Sequence, residues 1–385
     1  MRFNKNIIVF IFCFLFILFG FNWSCIKKIA VETKGLIKDN DKSITQYTAN
    51  VEGLLSDRLS YHDNLMDINS IKNNMLGVRM IQKEDKTVLK TNGGNLAELA
   101  DTSINGTEIT AQIEERIEKY KIIAEDNNAG FLCVNVPSKA VFEDFPPNAE
   151  NHSLEEYNCY LRIEKEKGIP ILNLFDLFNK EGLATSKSYF STDHHWTPKV
   201  GFEVNKWICQ DLNDRYDFQY NTQLTDIANY DVATYKDQFL GSYGRKVGTY
   251  FSWKSPDDFD LITPKFETSF TEEQPFKDEI RTGDFKETLL FMDNMEKDYY
   301  NVNTYCTYSG GDFRLQIMKN HMNEDGPKIA LIRNSFACVV APFLALQTSE
   351  LHIMDVREGD EYVGEKVDVE NYIQQINADF VIVII

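Results

Sequence analysis

A rhythm of short apolar runs constrains this chain most. Near its end, Ile329–Ile332, Leu351–Met354 and Phe380–Ile384 are almost wholly apolar and four or five residues long. Runs of that kind read as buried strands. Between them, helices are expected over 336–347 and 369–376. Upstream, Ile109, Ile113, Ile117, Tyr120 and Ile123 recur at three- and four-residue steps, predicting an amphipathic helix over 108–125. Phe131–Val136 reads as a strand ended by Pro137, followed by a helix over 154–167 and a strand over 170–174. Helix and strand in alternation are the signature of a parallel sheet covered on both faces, so the expected class is α/β.

The N-terminus obeys a different rule. After Arg2 and Lys5, residues 7–23 are almost continuously apolar. Seventeen helical residues span ~25 Å, close to the thickness of a thin bilayer. No small-x-small cleavage site follows, and Asn22-Trp23-Ser24-Cys25 is a poor lipoprotein box. An uncleaved signal anchor over 1–25 is therefore expected, with a membrane-proximal stem over 26–75 and the α/β domain over 76–385. That places the domain outside the cytoplasm, anchored in the cell envelope or secreted. Charge narrows the partners further. With 59 acidic against 40 basic residues, the net charge of −19 repels phosphate backbones and argues against nucleic acid.

Within the domain, residues 217–325 break the alternation. They are rich in Tyr, Phe, Asp and Gly without sustained period, and read as an insertion near the sheet edge with short strands. Ser309-Gly310-Gly311 is followed by no Gly-Lys-Ser/Thr, so it is no phosphate loop, and no cofactor is expected. Seven cysteines form no C-x-x-C pair. Cys133 and Cys338 fall in apolar runs and read as buried thiols, while a disulfide among Cys159, Cys209 and Cys306 is left open by spacing.

Chemistry concentrates in two places. Ser191-Thr192-Asp193-His194-His195-Trp196-Thr197-Pro198 precedes a helix that Thr197 is placed to cap, with Pro198 in its first turn. Asp193 and His195, two apart in an extended segment, share a side, so the acid can orient the imidazole. A structural pair, with Asp193 capping the helix, fits the same spacing. His194 points the other way and is expected to pack or hydrogen-bond behind the pair, as is Trp196. A metal held by Asp193, His194 and His195 lacks a second ligand cluster, and none is expected. The other place is Ser335, where the strand 329–332 turns into a helix. A serine there is exposed beside free N–H groups, although such serines also serve merely as caps. Asn334 is a candidate oxyanion donor, and Arg333 and Arg245 are candidates to orient a substrate.

Thr192-Asp193-His194-His195-Trp196-Thr197, followed far downstream by Ile332-Arg333-Asn334-Ser335-Phe336, resembles the DHHW family. That family is similar to the alginate O-acetyltransferase-like branch of the SGNH hydrolase superfamily. The resemblance implies a flavodoxin-like α/β domain and a triad of Ser335 nucleophile, His195 base and Asp193 orienting acid. The Asp-x-His-Trp motif precedes the serine, the reverse of ordinary SGNH hydrolases. Val136-Pro137-Ser138-Lys139 and Gly241-Ser242 also look like family landmarks. Relatives commonly carry Asp or Gly-Thr before the serine, where this chain has Asn334. The implied function is O-acetylation of a cell-surface or secreted polysaccharide through an acyl-serine. A membrane-bound O-acyltransferase partner is implied as source of the acyl group. A carbohydrate O-acetylesterase with the same triad, and a non-catalytic polysaccharide-binding or assembly protein, are the competing readings.

Overall fold

A computed structural model of the chain describes residues 62–83, 86–99, 107–357 and 365–385. The expected anchor and most of the expected stem lie outside the described residues. Among those described, no helix is long and apolar enough to cross a membrane. The chain divides into two compact units, Met1–Asn73 and Asn74–Ile385. The described part of the first belongs to helix α1 (His62–Met75).

The second unit begins with three short strands, β1 (Met80–Lys83), β2 (Lys86–Lys90) and β3 (Leu96–Glu98), which form a small antiparallel sheet. The alternating region follows as α2 (Thr107–Asp126), β4 (Gly130–Asn135), α3 (Ser153–Glu166), β5 (Ile171–Asn173), α4 (Leu174–Lys180) and α5 (Pro198–Tyr216). Next come β6 (Tyr230–Phe239), α6 (Ser242–Val247), β7 (Asp257–Pro264), β8 (Phe270–Gln274), β9 (Glu279–Gly283), α7 (Phe285–Leu289) and β10 (Leu315–Asn320). The chain closes with β11 (Lys328–Arg333), α8 (Ala341–Ala345), β12 (Glu350–Asp355), α9 (Val369–Ile376) and β13 (Phe380–Ile384).

Eight strands make the main sheet, in the order β5-β4-β13-β11-β12-β10-β8-β9. The first five are mutually parallel. The last three join antiparallel, which corrects the expectation of a wholly parallel sheet. These three strands belong to the 217–325 insertion. The turn 275–278 joins β8 to β9, and so short a link permits only antiparallel pairing. Counted from β11 as strand one through β12, β13, β4 and β5, the parallel strands lie in the spatial order 2-1-3-4-5. That is the flavodoxin-like order, begun at a different point of the chain. In that order the ligand crevice lies at the strands' carboxyl ends, at the switch point between the adjacent strands one and three, here β11 and β13.

Strand alternation builds two cores. Leu132, Val134, Ile329, Leu331 and Ile382 face one side, where α5 presents Val200, Val204, Ile208 and Leu212. Phe131, Cys133, Ala330, Ile332, Val381 and Val383 face the other, where α2 presents Ile117 and Ile123 and α9 presents Val369 and Ile373. Each such side chain, once fully buried, contributes ~1.5–3 kcal/mol, so both faces hold the sheet. A third cluster joins Val88 and Leu96 of the small sheet to Tyr243, Val247 and Phe251 in and after α6.

Two local expectations change, and one point left open by the sequence is answered. The helix expected over 336–347 is a tight turn, Ser335–Val339, followed by the short α8. Pro342 is the reason: it has no N–H to give, and its ring would crowd the Cys338 carbonyl in a continuous helix. That carbonyl instead accepts a hydrogen bond from the Ser309 hydroxyl at 2.9 Å. Thr197 does sit at the N-cap of α5 with Pro198 behind it, yet its hydroxyl makes no capping bond. Finally, Cys133, Cys159, Cys209, Cys306 and Cys338 are all free thiols, so no disulfide joins Cys159, Cys209 and Cys306, which sit on three separate elements.

Candidate active site

Ser335 stands just past the carboxyl end of β11. The Asn334 N–H donates to the Ile384 carbonyl at 3.2 Å, continuing the ladder toward β13. The Asn334 side-chain carbonyl then accepts from the Phe336 N–H at 3.0 Å and caps the turn. Because Asn334 is the cap, the Ser335 hydroxyl is released from that duty. Neither the Asn334 Nδ2 nor the Ser335 N–H has a hydrogen-bond partner among the described residues. Both are available to a developing oxyanion, whereas a turn of only five residues supplies little macrodipole.

The acid and base come from the loop before α5. His195 Nδ1 lies 2.5 Å from Asp193 Oδ1, and His195 Nε2 lies 2.7 Å from Ser335 Oγ. With Nδ1–H donating to the carboxylate, Nε2 is left to accept the serine proton. Asp193 is saturated: Oδ1 also accepts from the His195 N–H at 2.9 Å, and Oδ2 accepts from the Ser242 N–H at 2.5 Å. Burial by itself would raise the Asp193 pKa. The charges of His194 and His195 and these hydrogen bonds outweigh it and hold the carboxyl well below its usual range. The Ser242 contact explains why glycine precedes it. A Cβ on Gly241 would stand 2.2 Å from the Asp193 Cβ, so only glycine lets α6 approach this closely.

Aromatic walls hold the imidazole. The Tyr305 ring stacks on His195 with centroids 4.1 Å apart and planes 17° from parallel, and Phe336 closes the other side at 4.9 Å. The Tyr305 hydroxyl donates to the Phe336 carbonyl at 3.3 Å, tying this wall to the serine turn. Trp196 is fully buried with its ring edge-on to Phe336 at 4.9 Å, a packing role. The His194 ring lies 3.8 Å from that of His195, tilted by 36°, and its Nδ1 is 3.1 Å from the Ser242 hydroxyl. Ligand atoms of Asp193, His194 and His195 do lie within 4.8 Å of one another. Both His195 nitrogens, however, are already committed to Asp193 and Ser335.

The two arginine candidates differ in what they are free to do. The buried Arg333 guanidinium is taken by Asp312 at 2.5 Å and by the Gly311 carbonyl. Arg245 is half-buried on α6 and has no side-chain hydrogen bond or ion pair among the described residues. A cleft of about 360 Å³ opens beside the dyad, lined among others by Val136, Ser138, His194, Lys246 and Phe336. A larger hollow, about 1060 Å³, holds none of the triad; Gly130, Pro327 and Phe380 place it at the opposite ends of the parallel strands.

Sequence reasoning missed Tyr305, Lys139 and Asp257. Lys139 lay inside a noted segment, but no spacing tied it to Asp193. Tyr305 and Asp257 sit in the insertion, where many aromatic and acidic residues carry no periodic signal.

No protein-family model matches the chain, and no curated protein matches it by sequence. Its fold is nevertheless shared with solved structures. Bacillus cereus PatB1, in a structure with a sulfonyl adduct, superposes with a TM-score of 0.62 at 19% identity, over 78% of this chain and 95% of PatB1. A DHHW family protein from Eubacterium siraeum superposes with a TM-score of 0.52 at 15% identity, over 79% of this chain and 91% of the other. The chain is thus similar in fold to the family that its motif resembles.

Proposed function

We propose that this protein is a serine acyltransferase that O-acetylates a polysaccharide outside the cytoplasm, with Ser335 as nucleophile, His195 as base and Asp193 as orienting acid. The observation that carries the proposal is the unbroken relay Asp193 Oδ1–His195–Ser335 Oγ, with contacts of 2.5 and 2.7 Å. Support for transfer to a sugar comes from the DHHW resemblance.

Ser335 Oγ attacks the acyl carbonyl as its proton passes to His195 Nε2. The Ser335 N–H and the Asn334 amide, both without a partner among the described residues, are the proposed oxyanion donors. Collapse of the adduct expels the donor's leaving group, which takes the proton from His195 and leaves an acyl-serine. A sugar hydroxyl then attacks that ester, His195 accepts its proton, and the proton returns to Ser335 as the acyl group departs. The acyl donor is proposed to reach the site from a membrane-bound O-acyltransferase partner.

The test is labelling with a sulfonyl fluoride and, on a separate unlabelled sample, incubation with an acetyl ester and an acceptor glycan. Wild-type protein should be modified at Ser335 and should acetylate the glycan, while Ser335→Ala does neither. Equal labelling of Ser335→Ala would refute the nucleophile. Rapid acetate release with no gain of acetyl on the glycan would reassign the protein as an esterase.

A further inference from the structure

The loop 190–193, which carries Asp193 into the site, belongs to no helix or strand, yet its polar groups are paired. Two of its N–H groups go to one buried carboxylate: Asp257 accepts from the Ser191 N–H at 2.7 Å, the Thr192 N–H at 2.8 Å and the Thr192 hydroxyl at 2.6 Å. The Phe190 N–H donates to the His195 carbonyl at 3.1 Å. Three of its four carbonyls share one buried ammonium, while the Thr192 carbonyl accepts from the Gly244 N–H at 3.0 Å. Lys139 Nζ donates to Phe190 O at 2.6 Å, Ser191 O at 3.1 Å and Asp193 O at 3.1 Å. A fourth bond, to Leu96 O at 2.6 Å, ties the same ammonium to the small sheet. Lys139 is 2% exposed and Asp257 8% exposed, so neither charge is there for solubility.

From this geometry we infer that Lys139 and Asp257 are positioning residues. They grip the Asp193 loop from its two hydrogen-bonding sides, and the triad is aligned only while Lys139 is protonated. The inference rests on the triad reading above. An ammonium has three N–H groups to share among four carbonyl oxygens. A neutral amine has two N–H groups and a lone pair that repels whichever carbonyl it faces, so loss of the proton loosens the loop at Asp193.

Protonation is finely placed. Burial lowers the Lys139 pKa, while Glu143, Asp257 and Asp193 pull it back up and Lys254 opposes them, leaving it at about 8. The Tyr243 ring lies 6.0 Å from the ammonium. His194, Glu98 and Lys246 line the same cleft. Below about pH 8 the clamp is charged and closed; above it, the clamp opens.

The experiment follows the rate of Ser335 labelling by a fluorophosphonate in the full chain from pH 6 to 10. It compares wild type, Ser335→Ala, Lys139→Met and Asp257→Asn. Wild-type labelling should fall above about pH 8. Lys139→Met should label about 100-fold more slowly at pH 7.5, the cost of a displaced catalytic group, with reagent affinity unchanged and no fall above pH 8. Removing the Asp257 charge lowers the Lys139 pKa, so Asp257→Asn should move the alkaline fall about one unit lower. This variant carries the test alone if Lys139→Met does not fold. Labelling of Ser335→Ala sinks the triad reading. Ser335-dependent labelling with the alkaline fall unmoved in Asp257→Asn, or wild-type rates in Lys139→Met, overturns the clamp and leaves the triad standing.

Discussion

The two halves of the relay are held by different physics. Ser335 is set by regular structure: β11 lies between two parallel neighbours, and the ladder continues to the residue before the serine. The Asp193–His195 loop has a thinner frame: a single Tyr189–Trp196 bridge at its base and isolated backbone bonds, from the Phe190 N–H to the His195 carbonyl and from the Leu96 N–H to the Ser191 carbonyl. It hangs between Lys139, Asp257 and the first turn of α6, all distant in sequence. A ladder spreads its hold over many bonds, whereas the loop depends on a few charged ones in a low-dielectric interior, where each is strong and costly to lose. The nucleophile's place should therefore resist single substitutions, and the acid–base loop should not.

Removing the reacting groups bounds the scale. Ser335→Ala or His195→Ala should lower acyl transfer by about 10⁴- to 10⁶-fold, measured as acetyl gained by the glycan. A smaller but still severe loss, about 10³- to 10⁴-fold, is expected for Asp193→Asn, which keeps the shape but loses control of the His195 tautomer. Wild-type rates in that variant would show that the loop's carboxylate is structural only. Because the folded pKa of Asp193 is depressed, its stabilising contribution is complete at neutral pH and lost only as pH falls through that low value. An acid limb near neutrality therefore belongs to another group.

On the serine side, Asn334→Asp keeps the oxygen that caps the turn and removes the amide donor. A loss of about 10²-fold in rate, with melting temperature near wild type, would assign the donor to the oxyanion; an unchanged rate would confine Asn334 to capping.

Two glycines give the most direct contrast between the regions. Gly241→Ala drives a methyl against Asp193, while Gly201→Ala drives one to 2.2 Å from the Val339 Cγ2 behind the serine turn. Each should cost ~1–3 kcal/mol of stability by denaturant unfolding. Gly241→Ala should also slow labelling about tenfold, and Gly201→Ala by less. The reverse order would mean that the sheet, not the loop, is the weaker support.

Lys139 separates stability from activity in the same spirit. Its folded pKa, about 8, lies below the ordinary lysine value, so between these pH values the unfolded chain binds more protons. Raising pH across that window relieves a stability cost while it opens the clamp. Activity should fall there without a matching fall in melting temperature from this group.

Legibility followed the same division. The runs at 329–332, 351–354 and 380–384 appear as β11, β12 and β13 because an unbroken apolar stretch between helices has few other places to go. Asp193, His195 and Ser335 were legible because each sits at the edge of a regular element that announces itself locally. The break in the helix after Ser335 was also written locally, in Pro342, but the apolar run around it concealed the signal. Lys139 and Asp257 were not legible at all. A buried charge is identified by what surrounds it, and the loop that partners both lies 51 to 66 residues away.

By itself, the amino-acid sequence determined which apolar runs become the parallel strands and their covering helices, which faces they bury, and which three side chains make up the proposed serine relay. These follow from hydrophobic period and from residue type, both local properties. Only the tertiary structure decided that the parallel strands take a flavodoxin-like order begun at β11, that the insertion turns the sheet antiparallel, and that Lys139 and Asp257 close on the Asp193 loop. Strand order and buried charge pairing depend on contacts between distant residues, formed only when the chain has already condensed.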